Sequence, residues 1–267
     1  GDLFLFKSGV FNEQQYFEEF KNQLQKHFDN FGRFNYSVAE SSFDTWLDGY
    51  EVGVPNRKVS IYTEGCLLAF VTDVEIRRAN DDNFGLDEVM RYLYFNYALE
   101  GKGVSEADYQ AAIENIAGCS FQWLFDDYIN GKRPFESIIT NALDHLGFEL
   151  DHTPSKSYMQ GRLGLKAVSS GKDFIVHQMF PGSPSEMSGL MQGDRITAIN
   201  GFACDGELDK WLNYFDDDVK TVTVNRASTI LDITFPEVNR NFYTDYSVKR
   251  MTDLTKKQVV AYERWKK

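Results

Sequence analysis

Apolar residues recur at helical spacing through most of the first 150 positions. The longest run, residues 60–78, reads SIYTEGCLLAFVTDVEIRR, and apolar side chains cover most of its circumference when it is drawn as a helix. Arg77 and Arg78 fall at its end, where the helix dipole favours cations. The run predicts a buried helix around which the first half of the chain is organised.

A second amphipathic helix is predicted over residues 12–31 and ends near Gly32. His27 stands alone in it among charged neighbours, so we expect a solvated surface histidine. Further helical segments follow, each ending near a glycine, and Ser105 is a candidate N-cap. The pattern predicts an all-helical unit that extends to Leu150.

The hydropathy pattern changes at residues 151–161, which are polar. Beyond them the apolar runs are short and rich in β-branched residues, and two helical insertions interrupt them, which predicts a small β-barrel or sandwich with two helices. We therefore expect a multidomain α+β chain. Its parts are a helical domain over residues 1–152, a β-rich domain over 158–237, and a tail over 238–267 that packs back as a strand and a helix.

The net charge limits the classes of partner that the chain can bind, and the cysteine spacing indicates whether disulfides are expected. The 267 residues include 40 acidic and 28 basic side chains, and this net charge of -12 disfavours nucleic acid and anionic membrane surfaces. Three cysteines, Cys66, Cys119 and Cys204, show no CxxC spacing and indicate no disulfide framework.

No apolar run is long enough to span a membrane. The compartment stays open between cytoplasm and periplasm of a bacterium, with the cytoplasm preferred.

The sequence contains no self-contained catalytic motif. HExxH, GxSxG, a Walker loop and a dinucleotide fingerprint are all missing from it. His145 and His152 are seven residues apart, but a predicted helix end and Pro154 separate them, which argues against a shared metal. We therefore predict no metal site within these 267 residues.

A recognisable pattern lies in the second half of the chain. Residues 180–202, FPGSPSEMSGLMQGDRITAINGF, resemble the PDZ family in its bacterial, protease-associated form. Pro184 starts a short helix, Gly189 ends it, and Gly193 with Asp194 makes the next turn. The resemblance covers roughly residues 158–237.

The PDZ resemblance implies capture of peptide or protein C-termini, or of extended segments, by strand addition. The loop that matches the family's carboxylate-binding loop is Arg162, Leu163, Gly164 and Leu165. In the matching groove helix, Leu208 and Leu212 are four apart and share a face. That face is turned either toward a ligand or toward the core, and the sequence leaves both interpretations open.

The first half of the chain, through most of residues 9–150, resembles the glycyl aminopeptidase family, gluzincin-type zinc peptidases that carry a PDZ domain. The resemblance rests on motifs in preserved order: SVAESSFDTWLDGY, SIYTEG, FGLDEVMRYLY, GKGVSEADYQAAIENIAG and FDDYINGKRPF. It implies a zinc site formed by HExxH and a glutamate on a following helix, both preceding Gly1. Zinc is therefore expected in the parent enzyme and not in this part, which alone is expected to be inactive.

The same resemblance assigns a role to Tyr62. In related gluzincins a tyrosine three residues before a helix-opening glycine stabilises the tetrahedral oxyanion, and Tyr62 lies three before Gly65. A phenol suits this role because it donates a hydrogen bond where negative charge develops. The family commonly has tyrosine and lysine at the positions that Ile61 and Glu64 occupy here.

Two functions follow as alternatives. The first is the C-terminal part of a zinc metallo-aminopeptidase that hydrolyses N-terminal residues from peptides, with the PDZ domain engaging peptide. The second is a non-catalytic peptide-binding PDZ scaffold protein. A regulatory dimer formed through the PDZ edge strand is a further possibility, and the sequence leaves the oligomeric state open.

Overall fold

The computed structural model describes residues 1–43, 45–48, 54–215 and 218–267. Part of the SVAESSFDTWLDGY motif therefore lies outside the described residues. The chain divides into two compact units, Gly1–Asp151 with Tyr246–Lys267, and His152–Asp245. Among the described residues no helix is long and apolar enough to cross a membrane.

The elements follow the chain in this order. Up to residue 154 they are α1 (Asp2–Lys7), α2 (Glu13–Asp29), a 3₁₀ turn (Phe31–Phe34), α3 (Val38–Phe43), α4 (Thr45–Asp48), α5 (Ile61–Ala79), α6 (Leu86–Leu93), a π-helical segment (Tyr94–Ala98), α7 (Glu106–Ala117), α8 (Gln122–Leu124), a second π-helical segment (Phe125–Ile129), α9 (Glu136–His145) and β1 (Phe148–Pro154). The others are α10 (Tyr158–Gly161), β2 (Leu165–Ser170), β3 (Asp173–Met179), α11 (Pro184–Met187), β4 (Arg195–Ile199), β5 (Phe202–Ala203), α12 (Leu208–Tyr214), β6 (Thr221–Arg226), β7 (Thr229–Thr234), β8 (Thr244–Arg250) and α13 (Lys256–Trp265).

Helix α5 lies at the centre of the first unit, as its apolar pattern predicts. It packs against α2, α7 and α9, and its apolar side chains are almost fully buried. Trp265 of α13 is fully buried in the same core, 5.9 Å from the ring of Phe70 and 5.3 Å from that of Phe6. The C-terminal helix therefore completes the core that forms around α5.

The first unit is helical, but the prediction that it is all-helical is wrong. Strands β1 and β8 form a two-stranded sheet. Helix α9 ends at His145, and Gly147 has a φ of +75°, which turns the chain out of the helical path before Phe148. Phe148 then packs on Phe17, with ring centroids 4.4 Å apart. A glycine at the helix end thus starts a strand where the sequence predicts only a helix terminus.

The second unit is built on a six-stranded antiparallel sheet in the order β2-β3-β4-β6-β7, with β5 paired to β4. Its core collects apolar residues from the strands and from α10 and α12. The expectation of a mixed α+β chain is thereby confirmed. The assignment of the two units to a metallopeptidase part and a PDZ domain stays a prediction.

Candidate functional site

Helix α5 begins at Ser60, and its first turn carries Tyr62. Ser60 has an extended backbone and its side chain accepts a hydrogen bond from the backbone N–H of Thr63 at 3.4 Å. This N-cap fixes where the helix starts. Tyr62 is 67% exposed, in contrast to the buried residues that follow it.

Tyr62 lines an open cavity of ≈390 Å³ at the junction of α2 and α5. The residues that line it are polar: Gln23, Lys26, Asn30, Ser60, Tyr62, Thr63 and Glu64. The cavity is large enough for several atoms of a ligand. Because it opens at the N-terminus of a 19-residue helix, the local helix dipole is positive. A developing negative charge beside Tyr62 would be stabilised there.

Two side-chain contacts attach the first turn of α5 to α2. Thr63 Oγ1 donates to Gln23 Oε1 at 3.1 Å. Glu64 Oε2 lies 2.7 Å from His27 Nδ1, and both side chains are almost fully buried. Gln23 and His27 are four residues apart on α2 and therefore face the same side. The residues directly after Tyr62 are thus held by one face of α2.

The prediction that His27 is a solvated surface histidine is wrong, because it is only 1% exposed. Its ring stacks on Phe135 with centroids 4.8 Å apart and packs edge-on against Phe28. Its neighbour Lys26 is exposed, whereas His27 faces inward. Glu64, its partner, is 37 residues away in the chain, so local sequence carries no signal of the pair.

Behind Glu64 lies a second, smaller cavity of ≈20 Å³, which His27 and Arg33 also line. Three buried atoms, His27 Nε2, Glu64 Oε1 and Arg33 Nε, have no hydrogen-bond partner among the described residues. A cavity of this size holds one water molecule, and a water with two or more polar partners is retained. Glu64 lines both cavities.

The segment that leads into α5 is also fixed. Asn30 Nδ2 donates to the carbonyl oxygen of Lys58 at 3.3 Å, and the N–H of Val59 donates to Ser41 Oγ at 3.2 Å. A Cβ on Gly32 would overlap the Lys58 carbonyl group, so this close approach requires glycine. These contacts place Ser60, and with it the start of the helix.

The residues predicted to hold peptide lie in the second unit. Arg162 is exposed, whereas Leu163 and Leu165 are buried. Gly164 has a φ of +61°, and its carbonyl oxygen accepts the N–H of Phe180 at 2.8 Å. The loop Arg162–Leu165 therefore leads directly into β2, the strand at one edge of the sheet.

Leu208 and Leu212 belong to the core of the second unit. They are 1% and 0% exposed and pack in the cluster that contains Leu163 and Leu165. Of the two interpretations that the sequence leaves open, the core one describes their placement. A peptide that contacted them would have to move other side chains in this cluster.

No group of three or more His, Cys, Asp or Glu side chains among the described residues could hold a metal ion. The cavity beside Tyr62 also lacks a set of metal ligands, since Glu64 is the single His, Cys, Asp or Glu side chain among the described residues that line it. These residues thus do not fit a zinc ion by themselves.

Comparison with known protein families finds a match for the first part of the chain. The sequence profile of the M61 glycyl aminopeptidase family matches residues 1–68, which confirms the resemblance over that stretch. The match includes α2, Tyr62 and Glu64. None of the curated protein sequences matches the chain.

Solved structures extend the comparison to the whole chain. A crystal structure of an aminopeptidase N family protein from Idiomarina loihiensis is 21% identical and aligns over 100% of this chain with a TM-score of 0.81. The alignment covers 46% of that protein, so this chain spans about half its length. At this identity the likeness shows a shared fold.

Two further structures align over parts of the chain. The HtrA3 PDZ domain bound to a phage-derived ligand is 14% identical, and the alignment covers 38% of this chain and 93% of that one with a TM-score of 0.25. The photosystem II D1 C-terminal processing protease is 18% identical, with 58% and 43% covered and a TM-score of 0.24. Scores this low support no structural argument.

Proposed function

We propose that this chain is the C-terminal part of a zinc metallo-aminopeptidase that removes N-terminal residues from peptides. The first unit forms one side of the active site, and the hydroxyl of Tyr62 donates a hydrogen bond to the tetrahedral oxyanion. The observation that carries the proposal is the position of Tyr62, exposed on an open cavity at the start of α5 and inside the stretch that matches the peptidase family.

The chemistry divides between the metal and this chain. Zinc, held by residues outside these 267, would activate water and polarise the scissile carbonyl group. Tyr62 contributes a neutral donor that does not compete for the metal, and the N-terminus of α5 adds a positive dipole on the same side. Because the described residues include no group of three His, Cys, Asp or Glu side chains that could hold a metal ion, we expect no hydrolysis by this chain alone.

The second unit is proposed to bind peptide in the manner of a PDZ domain. Strand β2 lies at an edge of the sheet, so its outer side is available for an added strand. The loop of Arg162, Leu163, Gly164 and Leu165 precedes this strand and would hold a terminal carboxylate or a main-chain carbonyl group. Its partners are then peptide or protein C-termini and extended segments.

The test is a kinetic comparison in the full-length protein. Tyr62→Phe should lower kcat for an aminoacyl amide by about 10²- to 10³-fold, the usual effect of removing one oxyanion donor. Tyr94→Phe, also an exposed tyrosine of the first unit, is the control and should leave kcat unchanged. Full activity of Tyr62→Phe would refute the oxyanion-stabilising role of Tyr62. A full-length protein that neither binds zinc nor cleaves the amide would refute the enzymatic proposal.

The alternative is a non-catalytic peptide-binding scaffold. Two departures from the family pattern favour this alternative. Glu64 stands where the family commonly has lysine, and Ile61 stands where it commonly has tyrosine. The coding sequence upstream of Gly1 separates the two, because HExxH followed by a glutamate-bearing helix supports the enzyme. Zinc content of the full-length protein gives the same answer by measurement.

A further inference from the structure

We infer that His27 and Glu64 are positioning residues that hold the first turn of α5 and thereby set the orientation of Tyr62. The catalytic consequence rests on the proposed function, whereas the structural claim concerns this chain alone. The hydrogen bond of the pair joins His27 to Glu64, two residues after Tyr62, so the pair acts on Tyr62 through the backbone of α5.

The N-terminal turn of a helix depends on side chains for its geometry. Its first four N–H groups have no intrahelical acceptor, and end turns fray when nothing else holds them. In α5 the cap is the Ser60 contact at 3.4 Å, which is long for a hydrogen bond. The 2.7 Å contact between His27 and Glu64 is therefore the shorter and better buried attachment of this turn.

Burial makes the pair mutually dependent. Both side chains are almost completely removed from solvent, and their second polar atoms, His27 Nε2 and Glu64 Oε1, are buried without a hydrogen-bond partner among the described residues. Removing one partner would leave the other buried without its hydrogen bond, which is costly. The turn would relieve this by moving Glu64, and Tyr62 lies only two residues before it.

The pair also explains why glutamate occupies position 64. A lysine there would place an ammonium group against Nδ1 of His27 in a buried environment, with Arg33 on the same cavity. Glutamate instead accepts the histidine N–H. His27 and Glu64 thus act together as one buried pair. Glutamate at position 64 is compatible with an active site in which the first turn of α5 is held differently from that of enzymes with lysine there.

The structural claim is tested on this chain with 3-fluorotyrosine incorporated at position 62 and observed by ¹⁹F NMR. Glu64→Ala and His27→Ala should each shift and broaden the resonance, and Glu64→Gln, which keeps an acceptor, should change it less. The matched control is another histidine–carboxylate pair, His145 Nε2 and Asp82 Oδ1, which are 2.8 Å apart. His145→Ala should leave the resonance in place. An unchanged resonance in folded Glu64→Ala and His27→Ala would overturn the inference.

The catalytic consequence is tested in the full-length protein. Glu64→Ala should lower kcat about 10- to 100-fold with KM nearly unchanged, as expected for a displaced reacting group. In a Tyr62→Phe background the same substitution should cause no further loss, because Tyr62 is the group through which it acts. Additive losses would overturn the positioning role. A shifted ¹⁹F resonance in a full-length protein without activity would instead refute the proposed function and leave the structural claim intact.

Discussion

Lys7 and Asp73 form a buried ion pair, with Lys7 Nζ 2.9 Å from Asp73 Oδ2. Asp73 is fully buried and also accepts the backbone N–H of Leu86 at 2.7 Å, so one carboxylate joins α1, α5 and the start of α6. Lys7 and Arg77 also contact Asp87, so removing Asp73 would leave these two buried cations with one shared carboxylate and an uncompensated charge. We expect Asp73→Ala to lower the free energy of unfolding by about 3–5 kcal/mol, measured by urea denaturation.

An exposed pair on α2 provides the control for this prediction. Lys21 Nζ lies 3.2 Å from Glu18 Oε1, and both side chains are largely solvated. Exposed pairs contribute little, so Glu18→Ala should change the free energy of unfolding by less than about 1 kcal/mol. Equal effects of the two substitutions would show that Asp73 does not stabilise the contact of α1, α5 and α6.

Gly85 packs against the same charged cluster. A Cβ at this position would overlap Asp73 Oδ1 and come within 2.7 Å of Arg77 Nε. The side chains there are fixed by ion pairs and cannot move aside freely. Gly85→Ala should therefore lower the free energy of unfolding by about 1–3 kcal/mol, the usual effect of overpacking. Gly103→Ala is the matched control, since nothing lies within 4 Å of its Cβ, and it should be close to neutral by thermal denaturation.

Trp265 connects the C-terminal helix to the core of the first unit. It is fully buried and contacts the rings of Phe6, Tyr16 and Phe70. We expect Trp265→Ala to lower the free energy of unfolding by about 3–5 kcal/mol because it opens a cavity. Val259→Ala on the same helix is the control, since Val259 is 42% exposed and its truncation should change stability less. A stable Trp265→Ala variant in chemical denaturation would argue that α13 is not part of this core.

Local sequence predicts the elements whose pattern is long and strongly periodic. Helix α5 is predicted over residues 60–78 and observed at Ile61–Ala79, with its buried apolar side chains. Asn12 caps α2 through a capping box that closes with Gln15, close to the predicted start of that helix. Periodicity and capping are properties of neighbouring residues, so the sequence carries them directly.

Contacts between distant residues are the part that the sequence could not provide. The burial of His27 depends on Glu64 and Phe135, which come from other elements. Strand β1 depends on pairing with β8, almost 100 residues later. The role of Tyr62 is predicted from a family resemblance and stays a prediction, whereas the cavity that Tyr62 lines is formed partly by α2, which no sequence motif indicates. Pairings of this kind depend on tertiary packing, which local pattern does not encode.

The three cysteines should differ in reactivity toward a thiol reagent at pH 8. Burial, assisted by Asp2, raises the pKa of Cys66 to about 12, and burial raises that of Cys204 to about 11. Both pKa values lie above the pH, so these groups stay as unreactive thiols, whereas Cys119 is exposed. We expect one thiol per chain to react rapidly with iodoacetamide, and Cys119→Ser to abolish that phase. All three should react after unfolding in urea. Rapid modification of Cys66 in the folded chain, identified by peptide mass, would contradict the raised pKa that its partial burial next to Asp2 gives it.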